Sequence, residues 1–179
     1  MFKKEIYVSV DIEASGPIPE EYSMLSLGAA VVGDTSKIFY KEFKPINDNY
    51  VPRALEICGL SMEKLKKTGV EPKAGMLEFK EWINNVSKSK KPVFTAFSAT
   101  FDWMFVEYYF RKYVGRNPFG LSGLDIKAYY MGKFGTKWVD TAKRRFDKRF
   151  LSKRKHTHNA LDDAIEQAEI FEKLLEYKS

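Results

Sequence analysis

The stretch Ile6-Tyr7-Val8-Ser9-Val10-Asp11-Ile12-Glu13 decides how the rest of the chain is read. Branched apolar residues recur at every second position, the period of an extended strand. Side chains on a strand alternate between faces, so Ile6, Val8, Val10 and Ile12 share one face and Asp11 and Glu13 share the other. The loop Ala14-Ser15-Gly16-Pro17-Ile18-Pro19 stops the strand directly after the two acids. Neighbouring carboxylates on one face repel unless a cation lies between them. Hard divalent cations take oxygen ligands, which points to Mg²⁺ or Mn²⁺. A solvated strand end is the competing reading of this pair on its own.

A length of 179 residues suits one domain, residues 1–179, with a sizeable core. Hydrophobic content of 44%, with 15% aromatic residues, excludes a disordered chain. No apolar run approaches the roughly 20 residues that span a bilayer, so no membrane role is expected. Met1-Phe2-Lys3-Lys4 resembles the start of a leader, but Asp11 and Glu13 interrupt the apolar run behind it. Cys58 is the only cysteine, which excludes an intrachain disulfide and a cysteine-built zinc site. A reducing, cytoplasmic setting is the matching expectation.

Net charge is +6, and it is concentrated. Residues 143–155 carry eight cations (Lys143, Arg144, Arg145, Lys148, Arg149, Lys153, Arg154 and Lys155) against the single acid Asp147, a local net of +7. The remainder is close to neutral. Such a concentration suits a phosphate-backbone partner, with a solvated surface segment as the alternative. Phe146 and Phe150 interleave with the cations and either stack bases or anchor the segment to the core.

The order of elements is strands first and helices later. Strands are expected at 5–13, 24–32 and 37–44, with hairpin chemistry at Gly33-Asp34. Helices follow at 52–58, ended by Gly59, and at 62–67, capped by Ser61. Further helices are expected at 73–86, 101–113 and 159–177, and further strands at 92–97 and 121–126. The order β-β-β-α-β-α-β-α predicts a mixed α/β sheet of five strands, the first three antiparallel, with helices on its faces.

Two adjacent acids open the last helix, and helical geometry separates them. At about 100° per residue from Leu161, Asp162 falls on an arc with Glu166, Glu169, Lys173 and Glu176 that should face water. Asp163 falls near 200°, between Ile170 and Leu174, on the side facing the protein. A protein-facing carboxylate needs a partner, and a metal is one. His158, just before this helix, has the ring chemistry of a general base near neutral pH. His156 has only a position in the basic loop. Asp102 follows the buried strand 92–97 and can approach Asp11 if that strand lies beside the first; Asp125 is the competing fourth acid.

Asp11, Glu13, Asp102 and Asp163, with the form His158-x-Ala160-x-x-Asp163, resemble the DEDD superfamily of 3′–5′ exonucleases and its histidine subgroup, which includes RNase T and oligoribonuclease. Met24-Leu25-Ser26-Leu27-Gly28-Ala29, a second strand entering a glycine, fits the same pattern. The resemblance implies an RNase H-like fold and two divalent cations, Mg²⁺ or Mn²⁺. Asp11 would bridge the two ions, Glu13 and Asp163 would hold the first, and Asp102 would help hold the second. His158 would deprotonate the attacking water, and nucleoside 5′-monophosphates would leave from a free 3′ end. Two segments depart from the family pattern. Ser98 stands where an Asn is common, and Ala14-Ser15-Gly16 replaces a Thr-Thr-Gly form, making Ala14 and Ser15 the implied contacts to the terminal nucleotide. Phe101, Lys143, Arg144 and Arg145 complete the expected substrate contacts. The expected partner is single-stranded RNA or DNA, or a short oligonucleotide, with RNA preferred because no polymerase-docking extension is seen. Several members of the family are dimers, so a homodimer is an expected assembly. A non-catalytic nucleic-acid-binding domain on the same fold is the alternative function.

Overall fold

A computed structural model describes residues 4–154 and 157–178. Met1, Phe2 and Lys3 of the leader-like start, and Lys155 and His156 of the basic stretch, lie outside the described residues. The strands are β1 (Glu5–Ala14), β2 (Met24–Val31), β3 (Asp34–Glu42), β4 (Lys91–Ala96) and β5 (Leu124–Asp125). They form one sheet of order β3-β2-β1-β4-β5. β1, β2 and β3 pair antiparallel, while β4 runs parallel to β1 and β5 parallel to β4. The helices are α1 (Pro52–Cys58), α2 (Met62–Thr68), α3 (Pro72–Ser87), α4 (Ala99–Val114), α5 (Ile126–Phe134) and α6 (Ala160–Glu176). None of the described helices is long and apolar enough to cross a membrane.

The alternation read from β1 is what builds the two layers. Val8, Val10 and Ile12 join Phe79, Phe105 and Phe110 from α3 and α4 in the larger core. Tyr7, on the other face, packs edge-on against Phe171 of α6. Asp11 and Glu13 therefore emerge beneath α6, at the end of β1.

α6 lies unusually close to the sheet because small residues face each other. Ala160, Ala164 and Ala168, one turn apart, are fully buried and cross β2 near Gly28 and Ala30. Gly28 stands opposite Asp11 in the ladder. A Cβ at Gly28 would lie 2.2 Å from the Ala160 carbonyl oxygen and 2.4 Å from the Leu161 nitrogen, both backbone atoms. Gly28→Ala is expected to push the first turn of α6 off the sheet and lower stability by about 1–3 kcal/mol. A chain of this size melts about 2–4 °C lower for each kcal/mol lost, so thermal denaturation measures it directly. A melting point equal to the wild type would refute this account of the close approach.

Several sequence expectations need correction. The strand expected at 121–126 shrinks to Leu124–Asp125, because Leu121 is 82% exposed and Asp125 already caps the next helix. That helix, α5, and two short 3-10 turns, Trp138–Thr141 and Lys143–Arg145, occupy a stretch assigned no element from sequence. α4 begins two residues earlier than expected, at Ala99, which places Asp102 in its first turn. β3 starts earlier, at Asp34, directly after Gly33, whose φ of +82° makes the hairpin.

The basic stretch is also not a free arm. Phe146 and Phe150 are 3% exposed and pack with Phe97, Tyr130 and Phe171, so they anchor the segment to the core and do not stack bases. The acidic side of α6 receives the segment. Lys143 pairs with Glu166 at 2.6 Å, Arg154 with Glu169 at 2.8 Å, and Lys173 donates to the Leu151 carbonyl. Glu166 is consequently 5% exposed, not solvated as the helical count had placed it. The count treated charge as a sign of water, whereas the cations of the preceding segment cover that arc.

Candidate active site

Three element ends meet in a cleft of about 370 Å³ whose lining includes Asp11, Glu13, Asp102, His158, Asp163 and Lys143. β1 supplies Asp11 and Glu13. Because β4 lies parallel to β1, the helix that follows it begins beside the end of β1. There Asp102, 5% exposed, accepts a hydrogen bond from the Ile12 backbone N–H at 3.1 Å. α6 supplies Asp163, 1% exposed. Asn159 caps α6 by accepting from the N–H groups of Leu161 and Asp162, which fixes the turn that aims Asp163 inward. The Thr157 N–H donates to Asp163 Oδ1 at 3.2 Å.

His158 sits in the link between the basic segment and α6. Its φ of +54° is left-handed, a sparsely used conformation for a residue with a side chain, and it turns the chain sharply into Asn159. Glu13, His158 and Asp163 each place one ligand atom within 4.8 Å of the others.

Asp125, the competing acid, is committed elsewhere. Its carboxylate accepts from Ala99 N at 2.8 Å and from Ala128 N at 2.8 Å, holding the starts of α4 and α5 together. That bond also bears on Ser98, the departure from the family pattern. Ser98 makes no side-chain cap to α4, and Asp125 supplies one from the neighbouring strand β5.

Gln167 was missed from sequence. Its side-chain N–H donates to Asp11 Oδ1 at 2.6 Å, and its Oε1 accepts from Phe97 N at 2.7 Å, so one amide ties α6 to β1 and to the segment after β4. Gln167 stands one turn beyond Asp163, so the count that selected Asp163 would have found it.

The remaining expected contacts divide. Phe101, 38% exposed, borders both this cleft and an adjoining apolar pocket of about 430 Å³. Ala14 lines that second pocket with Pro17 and Ile57. Ser15 is fully buried, and its hydroxyl donates to the Asn49 carbonyl and accepts from Ser23 N, so its side chain braces the loop and is not offered to a nucleotide. Lys143 reaches the cleft, with its Nζ 5.2 Å from the centre of the Phe97 ring. Arg144 and Arg145 are exposed and outside the cleft lining; Arg145 pairs with Asp140 at 3.3 Å.

The carboxylates repel one another in this buried setting. Burial, then the charges of Asp102, Glu13 and Asp163, hold the Asp11 carboxyl well above the usual range, against the pull of Gln167. Glu13 is pushed up to about 8, first by burial and then by Asp163 and Asp102. Asp102 is pushed up to about 7 by burial, opposed by the Ile12 N–H. A site built of oxygen donors that resist ionising together suits hard divalent cations, which supply the missing positive charge.

Comparison with known proteins gives a consistent set of likenesses. The profile of the RNase T family, described as exonuclease, matches residues 8–171. The 3′-5′ DNA exonuclease Cap18 of Escherichia coli is 48% identical over 169 residues, covering 94% of this chain and 90% of that protein. Among solved structures, the nuclease domain of 3′hExo, a DEDDh family member bound to rAMP, superposes with a TM-score of 0.76 at 15% identity, covering 95% of this chain and 91% of that one. An E. coli ExoI–ssDNA complex in its zinc-bound form superposes with a TM-score of 0.66 at 14% identity, covering 96% of this chain but 40% of that longer one.

Proposed function

The chain belongs to the RNase T exonuclease family, and from that premise we propose that residues 1–179 act as one metal-dependent domain degrading single-stranded nucleic acid from its 3′ end. The observation that carries the reading is the convergence of Asp11, Glu13, Asp102, Asp163 and His158 on one cleft. Asp11, Glu13, Asp102 and Asp163 would hold two Mg²⁺ or Mn²⁺ ions. Such a pair, when bound, stabilises the charge on the attacking and leaving oxygens of an in-line displacement. His158 takes the proton of the attacking water, a role supported by its place in the lining of the same cleft as the four carboxylates. Gln167 holds the Asp11 carboxylate in register with the strand below. The products are nucleoside 5′-monophosphates.

DNA is proposed as the first substrate to try. The relative sharing 48% of its residues with this chain is named a DNA exonuclease, and that name supports DNA over the RNA expected from sequence. Cytoplasmic placement belongs to the same proposal and is supported by the single, unpaired Cys58.

The test is digestion of matched single-stranded DNA and RNA, 5′-labelled, with Mn²⁺ or Mg²⁺. A ladder shortening from the 3′ end is expected for the wild type and not for Asp11→Ala. If both proteins leave the strands intact while still binding them, the alternative of a non-catalytic binding domain replaces this reading. For His158→Asn, kcat is expected to fall about 10²–10⁴-fold, the range for loss of a general base, while Mn²⁺ affinity by calorimetry stays within a few-fold of the wild type. Loss of Mn²⁺ binding in that variant would make His158 a ligand instead of a base.

A further inference from the structure

Trp138 is the most conspicuous surface group outside the cleft. It is 54% exposed, although an indole of that size is normally mostly buried. It opens the first of the two 3-10 turns after α5. Its position along the sheet follows from the topology. β1, β4 and β5 run in one direction, and α5 starts where β5 ends, so the first turn of α5 lies at the same C-terminal end of the strands as Asp11 and Glu13, two strands to one side. Lys127, in that first turn, places its Nζ 4.3 Å from the centre of the Trp138 ring and so holds the ring at this end.

The chain then leads from Trp138 into the cleft. Five residues on, Lys143 lies over the Phe97 ring and borders the carboxylates. The chain is extended at Ala142 between the two turns, and five residues span at most about 18 Å. Lys137 and Arg144, both exposed, flank this path. An exposed ring backed by a cation and bordered by cations has the makings of a single-strand platform, where bases stack and phosphates meet positive charge.

We propose that Trp138 stacks a base of the substrate strand upstream of its 3′ end, with Lys137 and Arg144 beside the backbone. This rests on the reading that the protein degrades single-stranded nucleic acid, and it adds a length preference to that reading. A strand long enough to reach from the cleft to Trp138 gains a contact that a dinucleotide cannot make. Every base has a π-face, so the gain is independent of sequence.

Steady-state hydrolysis of homopolymer DNA from two to ten nucleotides tests it. Trp138→Ala is expected to raise KM for the decamer about tenfold more than KM for the dinucleotide, within the range that loss of one base stack produces, with kcat for the decamer little altered. Trp138→Phe should recover most of the difference, and Trp138→Leu, which keeps apolar bulk without a π-face, should not. An equal change in KM at every length, or none, overturns the proposal. So does a Trp138→Ala protein with wild-type KM values and a changed oligomeric state, which would make the ring a contact between copies. A second measurement does not depend on catalysis. In a protein carrying Trp82→Phe and Trp103→Phe, titration with a thymidine decamer should quench Trp138 fluorescence, while a dinucleotide should quench it far less. If the wild type digests no oligonucleotide yet this quenching holds, the exonuclease reading fails and the stacking site stands. If digestion holds and quenching does not occur, the stacking site fails alone.

Discussion

Asp11→Asn is expected to lower exonuclease turnover by at least about a thousandfold, roughly 4 kcal/mol of lost barrier reduction, and at the same time to raise the melting temperature of the metal-free protein at pH 8. The two effects have one cause. Asp11 is buried beside Glu13, Asp102 and Asp163, and its charge is opposed by burial and by all three neighbours. Asparagine keeps an oxygen in place for the 2.6 Å bond from Gln167 and removes the charge. The fold should then gain about 1–2 kcal/mol, the scale of replacing a poorly compensated buried charge, or a few degrees in melting temperature for a chain of this size. Calorimetric melting with chelator at pH 8, paired with digestion of a labelled strand, decides the matter. A variant that loses activity and also melts lower than the wild type would show Asp11 to be a structural carboxylate, whose removal damages the cleft indirectly.

Much of the cleft's lining could be read from the sequence because its geometry is local. The alternation of β1 needs only neighbouring residues, and it placed Asp11 and Glu13 on the face that α6 covers. The helical count separated Asp163 from Asp162 within one turn. What could not be read depends on partners far along the chain. Asp125 competes with Asp102 in the sequence, and only its two oxygens, capping α4 and α5, show where it is committed. Glu166 looked solvated because the Lys143 that covers it stands 23 residues away. The basic segment looked like a surface for phosphate, yet part of its charge is spent within the protein on Glu166, Glu169, Asp140 and Asp147. Net charge in a window measures what is present, not what has been neutralised by the fold. Ser15 shows the same limit: a residue chosen by its place in a motif turned out to brace the loop through Asn49 and Ser23.

The metal-free protein is expected to lose stability as pH rises from about 5 to 8, and divalent cations are expected to remove that loss. The sign follows from which state holds the protons. In the unfolded chain Asp and Glu release theirs near pH 4. In the folded chain Glu13 holds its proton up to about 8, Asp102 up to about 7, and Asp11 is raised in the same direction. Between those limits the folded state binds more protons than the unfolded one, so its stability falls with rising pH. The slope is about 1.4 kcal/mol per pH unit for each extra proton held. The opposite shifts of Asp34, Asp147 and Glu169 are lowered values, and they act on the acid side, near and below pH 4. The window from 5 to 8 therefore reports the cleft. A divalent cation competes with those protons for the same oxygens, so it binds most tightly where they have left, and tight binding to the folded state alone raises stability. Saturating Mn²⁺ should therefore raise the melting temperature several degrees more at pH 8 than at pH 6. Asp11→Asn, which removes one of the coupled carboxylates, should flatten both the metal-free slope and the metal effect. Melting curves at four pH values, with chelator and with Mn²⁺, measure all of this in one series. A metal-induced shift of equal size at pH 6 and pH 8 would mean that the ion is held by groups already ionised, and that these buried carboxylates are not its ligands.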